Sequence, residues 1–296
     1  MKLLRPAADA LPMEADIDRS PPERDARVSR SREWSERALF GVPLAGLALA
    51  ATFAGGPYFA VFIGIVAFAA VREWHRMVSG PRYAFAIAAS AIAIAASLGC
   101  VLIVRNSQWP LWLLAGGGVL AALCASGARP LSNGLGTLYV GVPALSLVAL
   151  RTHAPQGAWA VLVLFVAVWA ADTGALVWGR FLGGPKLFPA LSPNKTWAGF
   201  IAGTISASAA VTLFVMLFGG RLWQAALLGL VLAITGHSGD LFESWVKRRV
   251  GRKNSGGLIP GHGGVLDRVD STLFAAPLAA VLVFVFGLDL LCGGHP

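Results

Sequence analysis

The sequence predicts an all-α, polytopic integral membrane protein of about nine transmembrane helices with a cytoplasmic N-terminus. Three observations predict it. Hydrophobic residues make up 56% of the chain and charged residues 13%, with a mean hydropathy of +0.67, outside the balance of a soluble domain. Apolar stretches approaching the ~20 residues needed to cross a bilayer recur along the chain. Lys and Arg gather in alternate connections between those stretches.

Taken in order, the candidate spans are 38–53, 57–71, 83–104, 109–125, 135–150, 157–178, 197–218, 222–236 and 272–291. The polar segment 1–37 mixes arginines with acids, has too few apolar residues for a core and shows no secretory leader pattern, so it is expected to be a disordered or amphipathic cytoplasmic tail. Residues 38–156 then form an N-terminal set of membrane helices, and 157–296 a C-terminal catalytic region with cytoplasmic loops at 179–196 and 238–271. This division leaves only Arg105, Arg151 and Arg221 of the 24 Lys and Arg residues on the outer side, as the positive-inside rule requires. Topology therefore explains most of the +9 charge, and no nucleic-acid partner is expected. Trp109, Trp197 and Trp223 at span ends fit an interfacial aromatic belt. Cys100, Cys124 and Cys292 lie in or beside apolar stretches without a C-x-x-C pair and read as small apolar fillers.

Acidic residues are scarce beyond the tail, and four of the seven, Asp240, Glu243, Asp267 and Asp270, fall near the last two spans. Carboxylates near a bilayer are costly and are retained for a partner, an ion or a pathway. In GDLFESWVKRRVGRKNSGGLIPGHGGVLDRVDS, a helix continued past Gly239 places Asp240, Glu243, Ser244 and Lys247 on one face. The glycine-rich stretch 255–264 can aim backbone N–H groups at anions, and Asp267 and Asp270 offer hard oxygens suited to Mg²⁺. Composition alone also admits a basic loop with glycine turns, in which His262 is a turn residue and the aspartates cap a helix. A second cluster holds Asp172, Arg180, Lys186, Ser192, Asn194 and Lys195, with Thr196 or Asn194 as a helix cap. Asp172 reads equally well as the partner of a nearby arginine.

These residues resemble the signature of the phosphatidate cytidylyltransferase (CDP-diacylglycerol synthase) family. The resemblance rests on His262, Gly263, Gly264, Asp267, Arg268 and Asp270 of HGG-x-x-DR-x-D, on DTGA from Asp172, on Gly179 and Arg180, and on SPNKTWAGF from Ser192. It covers residues 160–275, and departs where Asn254 follows Lys253 in place of the family's usual aspartate. It implies a nucleotidyltransferase of the bacterial cytoplasmic membrane, its active site facing the cytoplasm, joining CTP and phosphatidic acid into CDP-diacylglycerol and pyrophosphate. It further implies a Mg²⁺ centre at Asp240 and Asp267, with a second, monovalent cation as an option. Lys195, Lys247, Arg248, Lys253 and Arg268 are expected as phosphate contacts, Ser192, Ser244 and Ser271 as orienting hydroxyls, and Gly261, His262, Gly263 and Gly264 beside the nucleotide. Asp172, Asn194 and Asp270 complete the expected substrate site. A homodimer is left open. The alternatives are a cytidylyltransferase or CTP-dependent kinase acting on another lipid, and an ion-coupled transporter using Asp172 and Asp240.

Overall fold

A computed structural model describes residues 41, 43–78, 83–104, 107–125, 129–252, 254–256 and 263–293. The expected tail 1–37, and Lys253, Gly261 and His262 of the expected site, lie outside the described residues. The chain divides into a unit of residues 1–43, of which only Gly41 and Pro43 are described, and a unit of residues 44–296.

Among the described residues the order is α1 (Pro43–Ala54), α2 (Gly56–Val78), α3 (Ala84–Ile103), α4 (Trp109–Cys124), α5 (Pro130–His153) and α6 (Gly157–Leu182). It continues with β1 (Lys186–Phe188), β2 (Ser192–Thr196), α7 (Trp197–Met216), α8 (Leu222–Arg249) and α9 (Leu266–Phe284). Six of these helices, α2, α3 and α5 to α8, are long and apolar enough to cross a membrane, whereas α1 and α4 are shorter. Helices satisfy every backbone group internally, which a lipid surround demands. Large apolar side chains accordingly point outward, with Ile103 85%, Phe85 79% and Phe181 79% exposed. Trp109, Trp197 and Trp223 sit exposed in the first turns of α4, α7 and α8.

Local chemistry sets the boundaries. Pro130 opens α5, where its missing N–H costs no helical bond. Gly183, at φ +63, closes α6 in the left-handed region that glycine adopts readily. Thr196 caps α7 by accepting the Gly199 N–H at 3.1 Å, one of the two caps expected from sequence. The segment before it is not only a helix start: β1 and β2 pair antiparallel, Lys186 opposite Thr196 and Phe188 opposite Ser192. This hairpin departs from the all-α expectation. The expected loops are also shorter than drawn, since residues 238–249 continue α8 and 266–271 belong to α9.

Helices α6 to α9 pack in sequence order, α2 to α5 form a second group, and α5 joins them by touching both α6 and α9. Small residues allow close approach. A methyl group added at Gly203 would fall 2.6 Å from the Ala171 carbonyl oxygen, and one at Gly229 would fall 2.8 Å from that of Ala207, so α6, α7 and α8 meet backbone to backbone. In the second group, where a methyl at Gly134 would likewise fall 2.8 Å from the Gly118 carbonyl oxygen, a buried polar network adds to that device. His75 Nδ1 lies 2.6 Å from Asn133 Oδ1, His75 Nε2 lies 2.8 Å from Ser90 Oγ, and Ser90 meets Thr137 at 2.7 Å, pinning α2, α3 and α5 together.

Candidate active site

Helix α8 is the spine of the site. It runs unbroken through Asp240, Glu243, Ser244 and Lys247, so the face anticipated from their spacing exists. Glycines on the same helix admit α9: a methyl at Gly239 would fall 2.6 Å from the Asp270 carbonyl oxygen and one at Gly236 would fall 3.4 Å from Ser271 Cβ. That crossing sets Asp270 and Ser271 beside Asp240. Ser271 Oγ donates to Asp172 Oδ1 on α6 at 3.2 Å, and Ser271 N–H donates to Asp270 Oδ1 at 2.8 Å. From the hairpin, Lys195 ion-pairs with Asp240.

Asp267 is the most heavily engaged carboxylate. It accepts from Lys247 Nζ and from the Gly264 N–H, both at 2.8 Å, and from the Ser255 N–H at 3.2 and 3.3 Å to its two oxygens. Burial alone would raise its pKa, but the Lys247 ammonium and the Gly264 N–H outweigh that and hold it below the usual carboxylate range. Lys247 reaches Glu243 as well, at 3.3 Å, and Glu243 is fully buried. Asp270, ahead of the apolar part of α9, is pushed well above the ordinary range by desolvation and then by Asp240, Glu243 and Asp172, all of which face it.

The pivot of the loop before α9 is Glu73, 1% exposed on α2. It accepts the Leu266 N–H at 2.9 Å and the Ser255 hydroxyl at 3.5 Å. Gly256 and Gly264 pack so closely on its carboxylate that a methyl group at either would collide with it. Gly263 is at φ +84, and a methyl there would also fall 2.8 Å from Asp267 Oδ2. Glu73 thus shapes the turn that presents N–H groups to Asp267. Glu73 is one of the seven acids beyond the tail and was given no role; the signal was a carboxylate closing an apolar helix, between Arg72 and Arg76.

The other expected residues divide. Lys195, Asp240, Lys247, Asp267, Gly263, Gly264, Asp172, Asp270 and Ser271 come together. Arg248 is exposed and donates from Nε to the Leu191 carbonyl at 3.3 Å, tying α8 to the hairpin turn. Ser192 is half-buried and Asn194 exposed on β2, Ser244 is half-buried, and Arg268 is exposed in the first turn of α9. His237 is a second residue that sequence reading missed. It is buried one turn before Asp240, with its ring 5.2 Å from that of Phe200.

No group of three or more His, Cys, Asp or Glu among the described residues is arranged to hold a metal ion; Asp240 and Asp267 are each engaged by a lysine. The donor chemistry nevertheless fits a hard divalent ion. Asp172, Asp240, Glu243, Asp267 and Asp270 form a linked series of carboxylates, and Asp270 is faced by three others, a concentration of like charge that a divalent cation relieves.

The sequence pattern of the Cytidylyltransferase family matches residues 35–286. The phosphatidate cytidylyltransferase of Brucella suis biovar 1 (strain 1330) is 37% identical over 261 residues, 85% of this chain and 92% of the relative. That of Staphylococcus haemolyticus (strain JCSC1435) is 44% identical over 147 residues, 49% of this chain and 55% of the relative. That of Rickettsia bellii (strain RML369-C) is 38% identical over 165 residues, 53% and 69% of the two chains. With the match spanning nearly all of the helices and both charged clusters, the chain belongs to the cytidylyltransferase family.

Proposed function

We propose that this enzyme transfers CMP from CTP to phosphatidate, giving CDP-diacylglycerol and pyrophosphate for phospholipid synthesis. Family membership and the relatives' shared activity support the reaction. The observation that carries the placement is the meeting of Lys195, Asp240, Glu243, Lys247 and Asp267 where α8 leaves its apolar stretch. A phosphate oxygen of phosphatidate attacks the α-phosphorus of CTP; that P–O bond forms as the bond to the β-phosphate oxygen breaks, and pyrophosphate departs with the electron pair. The nucleophile is already anionic, so the chemistry needs charge neutralisation more than a strong base. Lys195 and Lys247 supply positive charge at the two ends of the carboxylate series, each ready to exchange a carboxylate for a phosphate. The Gly263 and Gly264 backbone lies beside the nucleotide, and Ser271 orients Asp172. Asp240 and Asp267 would hold Mg²⁺, which when bound screens the repulsion between lipid and nucleotide phosphates.

Nine crossings with the N-terminus and the active site at the cytoplasmic face complete the proposal. The Lys and Arg distribution supports that topology, and so do the six described helices long and apolar enough to cross a membrane. Acyl chains then stay in the bilayer while CTP arrives from the cytosol. The test is to incubate purified protein with labelled CTP and a panel of lipid phosphates, with and without Mg²⁺. Label should enter phosphatidate as CMP; transfer of the terminal phosphate alone would overturn the assignment.

A further inference from the structure

Helix α8 has a second functional face. At ~100° per residue, Phe242, Trp245 and Arg249 point away from Asp240, Glu243 and Lys247, and with Val246 at the edge of that face they line an open cavity of about 850 Å³ walled also by α2, α5 and α9. Its size suits a drug- or lipid-sized ligand. The walls are aromatic: Tyr139 packs 4.9 Å from Trp74 and 5.4 Å from Phe242, and Phe242 lies 5.5 Å from Phe274. Trp74 Nε1 donates to the Ser132 carbonyl at 2.8 Å, so this wall is already hydrogen-bonded.

The charge of the lining is one-sided. Arg129 and Arg249 stand at one end, both exposed, and no carboxylate is among the residues that line the cavity. Arg249 is held in place with its guanidinium 5.1 Å from the Trp245 ring centre. Along α5 the lining runs from Arg129 to Pro143, about 21 Å at ~1.5 Å per residue. That exceeds one leaflet of a ~30 Å hydrocarbon core. An apolar slot of leaflet depth, with two cations at its headgroup end, is complementary to a lipid with net negative charge. A soluble anion would leave the slot empty, and a zwitterionic lipid would bring a cation against two arginines.

We propose that this cavity binds an anionic membrane phospholipid, separately from the reacting lipid, with an acyl chain between α5, α8 and α9 and its phosphate on Arg129 and Arg249. The proposal does not depend on the catalytic assignment, because its readout is binding.

Full-length protein in mild detergent is offered phosphatidylglycerol or phosphatidylcholine, and native mass spectrometry counts the lipid retained. Wild type should keep phosphatidylglycerol at least about fivefold better, the size of one arginine's contribution at an anionic surface. Arg129→Gln and Arg249→Gln should each lower retention about fivefold. Val142→Phe, which fills the slot and keeps both arginines, should lower retention of the acyl chain in a protein of unchanged elution volume. Equal retention of the two lipids by wild type overturns the proposal without reference to any variant. So does undiminished retention in the double arginine variant, or a disulfide between cysteines introduced at Leu135 of two copies that excludes lipid and marks the face as a subunit contact.

Discussion

Glu73 and Leu266 are 193 positions apart, yet the Glu73 carboxylate accepts the Leu266 N–H at 2.9 Å. One buried side chain on α2 thereby fixes where α9 begins, and with it the position of Asp267.

Replacing Glu73 with Ala should leave the Leu266 N–H and the Ser255 hydroxyl without their acceptor, at a cost of about 1–3 kcal/mol for a buried group. Glu73→Gln keeps a carbonyl oxygen and should retain part of that stability. Thermal melts in detergent check the order, with wild type above Gln and Gln above Ala. CTP turnover should fall in the same order.

Gly264→Ala should abolish turnover, because the added methyl group collides with Ser255 Oγ and the Glu73 carboxylate. Gly116→Ala, where nothing lies within 4 Å, should leave activity within about twofold, since exposed substitutions away from special features are nearly neutral. Similar losses in both variants would remove the steric argument.

Asp267→Asn, purified in normal yield, should lose about 100-fold or more of its CTP- and Mg²⁺-dependent turnover, the scale of deleting one preorganised electrostatic contact. Wild-type-like activity would take Asp267 out of the mechanism.

The same carboxylate sets an acid limit. Its pKa is lowered in the folded protein, so its stabilising contribution is complete above the ordinary carboxylate pKa and is lost as pH falls through the depressed value. The melting-temperature difference between wild type and Asp267→Asn should therefore stay level from pH 7 to about 4, near the unperturbed carboxylate value, and narrow below it.

Lys195 and Asp240 should behave as a coupled pair. A double-mutant cycle of Lys195→Met and Asp240→Asn, read in kcat/KM, should be non-additive by about 0.5–3 kcal/mol, as for residues in direct contact. Strict additivity would mean that the ion pair plays no part in turnover.

Local pattern made much of this readable. The apolar stretches announced the helices, the spacing of Asp240, Glu243 and Lys247 announced their common face, and Thr196 announced its cap. What stayed hidden depends on long-range packing. Lys247, expected as a phosphate contact, also bridges Glu243 and Asp267, a pairing fixed by where α9 crosses α8. The hairpin was missed because three- and five-residue strands carry too little periodicity, and Glu73 because its partners lie in a distant loop.

Helix α8 has 28 residues, about 42 Å at ~1.5 Å per residue, roughly 12 Å more than the ~30 Å of hydrocarbon it crosses. A single rigid rod thus joins a greasy anchor to a charged tip, and hydrophobic matching decides how far that tip stands clear of the acyl chains. Thickening the bilayer by a few ångströms draws the tip inward at a cost of fractions of a kcal/mol per ångström. Membrane thickness becomes an input to the catalyst that supplies the membrane's own lipids.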